Sequence, residues 1–500
     1  MHGGARRELA GWLTALAIAL VAAGQLAASP RSSLLFRDGD SLVVGLISRA
    51  VLDGGGVGEW ALSSVLFLPE SAVHVALGAL LPLDVDGLLA VNAVVNLLGF
   101  YGVARLVAGR RRAGAAPVAW SLAALGVFAL LVFTEASPSR DALELASLSL
   151  TTTYYAATTI GAVAAVGLAR RFLDRPGGGV VLLWALGATA VVSTLTNPLF
   201  AAWATVPLLT VLVVLGFSVR SRRSALLLGA ALLGGTLLGF LCRIPFSAWI
   251  ANTGAGYVQP WRWRESLELY AGLFAGRLST PLGVLALVVA AALLALAVMR
   301  MRRASAPGAR LVAAVAWVAP ALVLLGAVAL GTQAARYLQP LAFAPVLALV
   351  ADPRAVLPSS RLVRGAVAAL GALLLLAAGL SVPRLAAAAQ APDADLTCVT
   401  DWVDASGRTG AGQFWTVRLP KLHLDDPSRL VQVDHALNGY AWLVDRRDFT
   451  VGEVSFLVED AQTVPWQLPA GVEPVATIEC GRYRILDFGE TALRLGPAHS

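Results

Sequence analysis

Long apolar runs separated by short arginine-bearing turns set the rhythm of this chain. After Arg6 and Arg7, the run from about Leu9 to Ala28 is long enough to cross a bilayer. Further runs lie near 87–108, 116–134, 153–169, 179–196, 198–218, 224–244, 281–299, 311–331, 336–351 and 363–383. The pattern predicts an α-helical polytopic membrane protein with about eleven transmembrane helices. The first run reads as an uncleaved helix, with Ala27-Ala28-Ser29 leaving a signal-peptide end as the alternative.

Between the first two runs, residues 29–86 alternate differently. Ser41, Gly45, Ser48 and Arg49 form one polar stripe on an otherwise apolar helix, the pattern of a helix lying in the membrane interface. Gly54-Gly55-Gly56 ends it. The run 71–81 is too short to span and predicts a second surface or re-entrant helix. Just before the stripe stands Leu35-Phe36-Arg37-Asp38-Gly39-Asp40-Ser41, two carboxylates around a glycine where a membrane segment has ended.

Charge tests the alternation of runs. Arg110–Arg112, Arg170/Arg171/Arg175, Arg220/Arg222/Arg223, Arg300/Arg302/Arg303/Arg310 and Arg354/Arg361/Arg364 fall in every second turn. All share the side of Arg6 and Arg7, which the positive-inside rule makes cytoplasmic. The N-terminus is then inside and, with an odd number of spans, the C-terminus outside. Lys421 is the only lysine. With the abundant Ala, Gly, Leu and Val, that usage is associated with high-GC bacterial genomes, and the expected location of the spans is then a bacterial plasma membrane. The arginines cluster in short turns, which argues against nucleic acid as a partner.

Composition separates a second region. Charged residues make up 14% of the 500, against roughly 25% in soluble domains. Residues 392–500 hold 9 basic and 16 acidic residues, net −7, whereas the rest of the chain is net +14. With strand-like runs at 413–419, 454–458 and 483–488, residues 391–500 read as a small extracytoplasmic α/β domain after a transmembrane domain at 1–390. Cys398 and Cys480 flank that region and can pair if it lies outside the cytoplasm. The histidines at 2, 74, 423, 435 and 499 show no metal-ligand spacing. His435 beside Asp434 and His423 near Asp425 read as surface pairs. No Walker loop, dinucleotide fingerprint or nucleophile elbow appears.

Two outer turns carry candidate chemistry. Residues 245–280 bring Trp249, Tyr257, Trp261, Trp263, Tyr270 and Phe274 together with Arg262, Arg264 and Arg277. That is an interfacial aromatic belt or a surface helix that contacts a lipid headgroup or a sugar. Arg336-Tyr337-Leu338-Gln339-Pro340 places an arginine at an outer helix end.

This layout resembles the GT-C superfamily of integral-membrane glycosyltransferases, which includes the protein mannosyltransferases and the aminoarabinose and arabinofuranosyl transferases. The resemblance rests on Arg37-Asp38-Gly39-Asp40 directly after the first helix, surface helices in the same loop and the number of spans. The late Arg336-Tyr337-Leu338-Gln339-Pro340 element and the outer C-terminal domain complete it. Many members carry adjacent acids where Gly39 separates them here. The resemblance implies sugar transfer from a polyprenyl-phosphate donor to an extracytoplasmic glycan, lipid or protein acceptor.

In that chemistry a carboxylate removes the acceptor's proton, here Asp40 or Asp38. Arg336 is the leading partner for the departing phosphate. Tyr337, Arg37, His74, Arg262 and Arg264 are the further substrate-binding candidates. The two acids could also hold a divalent cation. A transporter or flippase, or a non-catalytic envelope-assembly protein, would share the architecture. The scarcity of ionisable residues inside the runs speaks against transport.

Overall fold

In the computed structural model, residues 2–110, 114–175, 179–216, 222–354 and 361–500 are described. Arg111, Arg112 and Arg220 of the predicted basic turns lie outside them. Among the described residues seven helices are long and apolar enough to cross a membrane: Gly4–Ala27, Val85–Val107, Ala156–Leu173, Arg222–Leu241, Pro281–Arg303, Pro307–Ala329 and Gly365–Ala389. Four of the other expected runs are helical but shorter, at Pro117–Phe133, Val180–Thr196, Ala201–Val214 and Ala335–Ala351. Prolines explain part of the shortening. Asn197 and Pro198 separate two of these runs, and Pro340 and Pro345 break the last into short turns. Among the described residues, seven helices thus have the length and composition of full spans, and the expected eleven are not confirmed.

The chain divides into two compact units, and no single cut at residue 391 separates them. The first comprises residues 1–34, 90–245 and 255–388. Its arginines gather helix ends. Arg170 donates to the carbonyls of Val107 and Val350, Arg171 to that of Leu106, and Arg300 to those of Ala348 and Leu349. Arg105 pairs with Glu8 at 2.6 Å. Carbonyls left open at helix C-termini are thus satisfied by cations, the charge that the helix dipole favours there. The predicted alternation of basic turns therefore has a structural counterpart at one end of this helical unit.

The second unit comprises residues 35–89, 246–254 and 389–500. Its centre is a seven-stranded mixed sheet in the order Gly496–His499, Asn438–Tyr440, Leu430–Val433, Gly410–Gln413, Phe456–Glu459, Tyr483–Asp487 and Ala476–Cys480. Gly410–Gln413 pairs in parallel with both neighbours, and Leu430–Val433 is buried along its whole length, as parallel strands covered on both faces are. Val399, Val403, Val417, Phe456 and Ile485 form one of its cores.

From residue 35 onward the outer segment is part of this unit and not of the helical one. Trp60 and Ala61 pair antiparallel with Asp445 and Val444. The helix Val43–Leu52 is buried from Val43 to Ser48, and Arg49 donates to the carbonyls of Leu422, Leu424 and Asp425. Its polar stripe thus serves packing and capping, in place of the interfacial position its periodicity predicts. The second predicted helix runs Leu68–Leu80.

Cys398 and Cys480 are joined by a disulfide, with Cα atoms 5.5 Å apart and a separation of 82 positions in sequence. In the loop-entropy model a closure of this length contributes up to roughly 4.5 kcal/mol. Cys398→Ser with Cys480→Ser is expected to lower the denaturant midpoint of this unit under oxidising conditions and to leave it unchanged under reduction. Equal midpoints for variant and parent in both conditions would mean that the bond is not made.

Candidate functional site

The acid-bearing turn lies between the short helix Ser32–Phe36 and the helix Val43–Leu52. Asp38 accepts from Ser41 N at 3.1 Å, so one carboxylate is used to shape the turn. Leu42 N and Val43 N bond to the carbonyls of Asp38 and Asp40. Asp40 therefore precedes the helix start by three residues and does not cap it, and the helix has no side-chain cap.

Gly39 does not supply an unusual backbone angle, since it is absent from the positive-φ glycines. It is needed for closeness. A Cβ there would stand 3.1 Å from the Trp415 ring and 3.4 Å from Phe414.

What holds the turn is a residue without a signal in the sequence. Arg418, on the helix Phe414–His423, is fully buried and donates to the Gly39 carbonyl at 3.2 Å and to the Leu443 carbonyl. Burial pulls it down to about 10, opposed by Asp40, Asp448 and Asp38 in that order, so it stays cationic at neutral pH. Lys421 on the same helix pairs with buried Asp448 at 2.7 Å. Burial pushes the Asp448 carboxyl up from its ordinary value, and Lys421 opposes the shift. Nothing in the composition of 414–423 distinguishes these two cations from surface residues.

Other predicted residues of this unit have structural partners. Arg37 is half-exposed and reaches Asp393 at 3.5 Å, which also binds Arg482 at 2.7 Å. His74 is buried with Glu70 one turn before it on the same helix. The histidine pairs differ from the expected ones: His423 faces Asp86 at 3.9 Å, and Asp434 bonds to His499 at 3.0 Å. Burial lowers His423 below its ordinary value. Among the described residues no group of three or more His, Cys, Asp or Glu could hold a metal ion.

In the helical unit, Arg336 sits among aromatic side chains. Its guanidinium lies 5.5 Å from the Tyr337 ring and donates to Asp141 at 3.0 Å. Arg140 also reaches Asp141, at 3.8 Å, and contacts the Tyr154 hydroxyl at 3.5 Å. Tyr337 stands 6.4 Å from Tyr155 and 6.2 Å from Tyr257 by ring centroids. Tyr155 has φ of 69°, an uncommon value for a bulky residue. That conformation lets its buried ring pack on Trp203 at 5.7 Å. Arg262 is paired with Glu265 and Arg264 lies over the Trp263 ring, so neither joins this cluster. Arg140, Asp141, Tyr154 and Tyr155 were not predicted, because residues 135–155 carry no periodicity that singles them out.

A buried charge cluster lies elsewhere in the same unit. The Glu144 carboxylate accepts from Arg31 at 2.9 Å, Arg277 at 2.8 Å, and the amides of Ala136 and Ser137. Glu135 accepts from the amides of Ala146 and Ser147. Glu135 and Arg277 line one end of an apolar groove of about 930 Å³ whose other end carries Arg302 and Arg303.

Comparison with family models, curated proteins and solved structures finds no match. The functional reading therefore rests on the residues themselves.

Proposed function

We propose that this chain is a membrane glycosyltransferase of the GT-C type, moving a sugar from a polyprenyl-phosphate donor to an acceptor hydroxyl outside the cytoplasm. The observation that carries the reading is the arginine pair Arg140 and Arg336, set against tyrosines around one exposed carboxylate, Asp141. Planar guanidinium forks suit phosphate, and aromatic faces suit a sugar ring or an isoprenoid chain. In the reaction the acceptor oxygen bonds to the anomeric carbon while the bond from that carbon to the phosphate oxygen breaks. Arg336 and Arg140 take up the charge of the departing phosphate, and the acceptor's proton passes to a carboxylate base, for which the sequence offers Asp40, with Asp38 as its rival.

Asp141 now occupies the anion position of Arg336, so a phosphate has to displace it. Arg336→Lys keeps the charge and loses the fork, and binding of a polyprenyl-phosphate probe should weaken about tenfold or more. Asp141→Asn removes the competing carboxylate, and the same binding should tighten. If both variants bind the probe as the parent does, Arg336 is not the phosphate partner.

A lipid-transporter reading draws on the apolar groove and its charged ends. Sugar transfer by detergent-solubilised protein, where no two compartments exist, separates the two: an enzyme works there and a transporter has no readout.

A further inference from the structure

The groove of the helical unit runs along one face of Pro281–Arg303. Ala286, Ala290 and Ala291 carry only a methyl group, so the neighbouring helix Pro307–Ala329 leaves a channel in place of a seam. From Ala286 to Arg302 the groove follows about 24 Å of helix, most of the hydrocarbon thickness of a bilayer. Its walls are apolar, with Phe274, Trp317 and Leu324 facing in.

The two ends differ in available charge. At one end Arg277 already holds Glu144 at 2.8 Å and the Thr134 carbonyl at 3.1 Å, so its cation is neutralised. At the other, Arg302 and Arg303 are exposed and form no ion pair among the described residues. An apolar channel closed at one end by a balanced cluster and opened at the other by two unbalanced cations fits an amphiphile with an anionic head. The same end of the unit carries Arg105, Arg170, Arg171 and Arg300, which the positive-inside rule places at the cytoplasmic surface.

We infer that the groove is a binding site for an anionic glycerophospholipid of the inner leaflet, its phosphate at Arg302 and Arg303 and one acyl chain along Ala286–Met299. This site is separate from the donor chemistry proposed above, whose phosphate belongs at Arg336.

The test uses full-length protein stripped of lipid in detergent and titrated with phosphatidylglycerol or phosphatidylcholine, with bound lipid counted by native mass spectrometry. The parent should prefer phosphatidylglycerol about tenfold or more. Arg302→Gln with Arg303→Gln should bring the two lipids within about twofold. Ala291→Trp, which fills the channel midway and keeps both arginines, should reduce retention of both lipids. Equal retention of both lipids by the parent would overturn the site, as would an unchanged preference in the arginine variant. A polyprenyl phosphate that displaces phosphatidylglycerol from the parent, but not from the arginine variant, would assign the groove to the donor instead. Arg336→Lys should leave phosphatidylglycerol binding intact, so failure of the donor reading and failure of this one are told apart.

Discussion

Glu144→Leu should be the most destabilising single change in the helical unit, lowering the apparent melting temperature in detergent by several degrees or preventing insertion. One carboxylate there holds Arg31, whose side chain is 0% exposed, and Arg277. Deleting it leaves two buried guanidinium groups facing only neutral acceptors and the more distant Glu135, 4.0 Å from Arg31 Nε. Removing one partner of a buried pair typically costs about 3–5 kcal/mol, because the remaining charge stays desolvated. Here two cations are stranded by one substitution. Glu144→Gln retains an acceptor and should cost less. The comparison is Glu453→Gln, which breaks an exposed pair with Arg494 at 3.6 Å and should change stability by less than about 1 kcal/mol. A Glu144→Leu protein that melts with the Glu453 variant would mean that the cluster contributes nothing to folding.

How much of this was legible depends on whether the determinant is periodic or positional. The apolar runs and the basic turns repeat, so the helices and their arginine-rich ends could be read directly. Lengths were less legible, because Pro340 and Pro345 break a run whose composition is as apolar as its neighbours'. The polar stripe on Val43–Leu52 was read correctly as a helix face and wrongly placed in the interface. A stripe of Ser, Gly and Arg looks the same whether it meets headgroups or the open carbonyls of Leu422 and Leu424, and only tertiary structure decides. Arg418 lay beyond reach for the same reason. A fully buried arginine has no sequence signature of its own, and its acceptor, the Gly39 carbonyl, is 379 residues away. Arg336 was singled out by its position at a helix end. Its partner Asp141 lies in a segment with no pattern to flag it.

Asp40→Asn should reduce sugar transfer by about 10² to 10⁴, the usual loss when a general base is removed. The turn itself distinguishes the two acids. Asp38 spends an oxygen on Ser41 N, a bond that shapes the chain entering the helix Val43–Leu52. Asparagine at 38 retains an acceptor for that amide, so Asp38→Asn should keep both the turn and most of the activity. Asparagine at 40 keeps the volume of the side chain but cannot take a proton at neutral pH. Arg418 still holds the Gly39 carbonyl in either variant, so neither substitution removes the contact that docks the turn on the helix Phe414–His423. Arg418→Met is the complementary change. It leaves both acids in place, frees the turn, and should raise tryptic cleavage at Arg37 along with lowering transfer. Transfer lost in Asp40→Asn, kept in Asp38→Asn and lost with new cleavage in Arg418→Met is the pattern expected of a base held by a buried cation. Transfer lost in Asp38→Asn alone would move the base two residues, and full transfer in both asparagine variants would remove the turn from the chemistry.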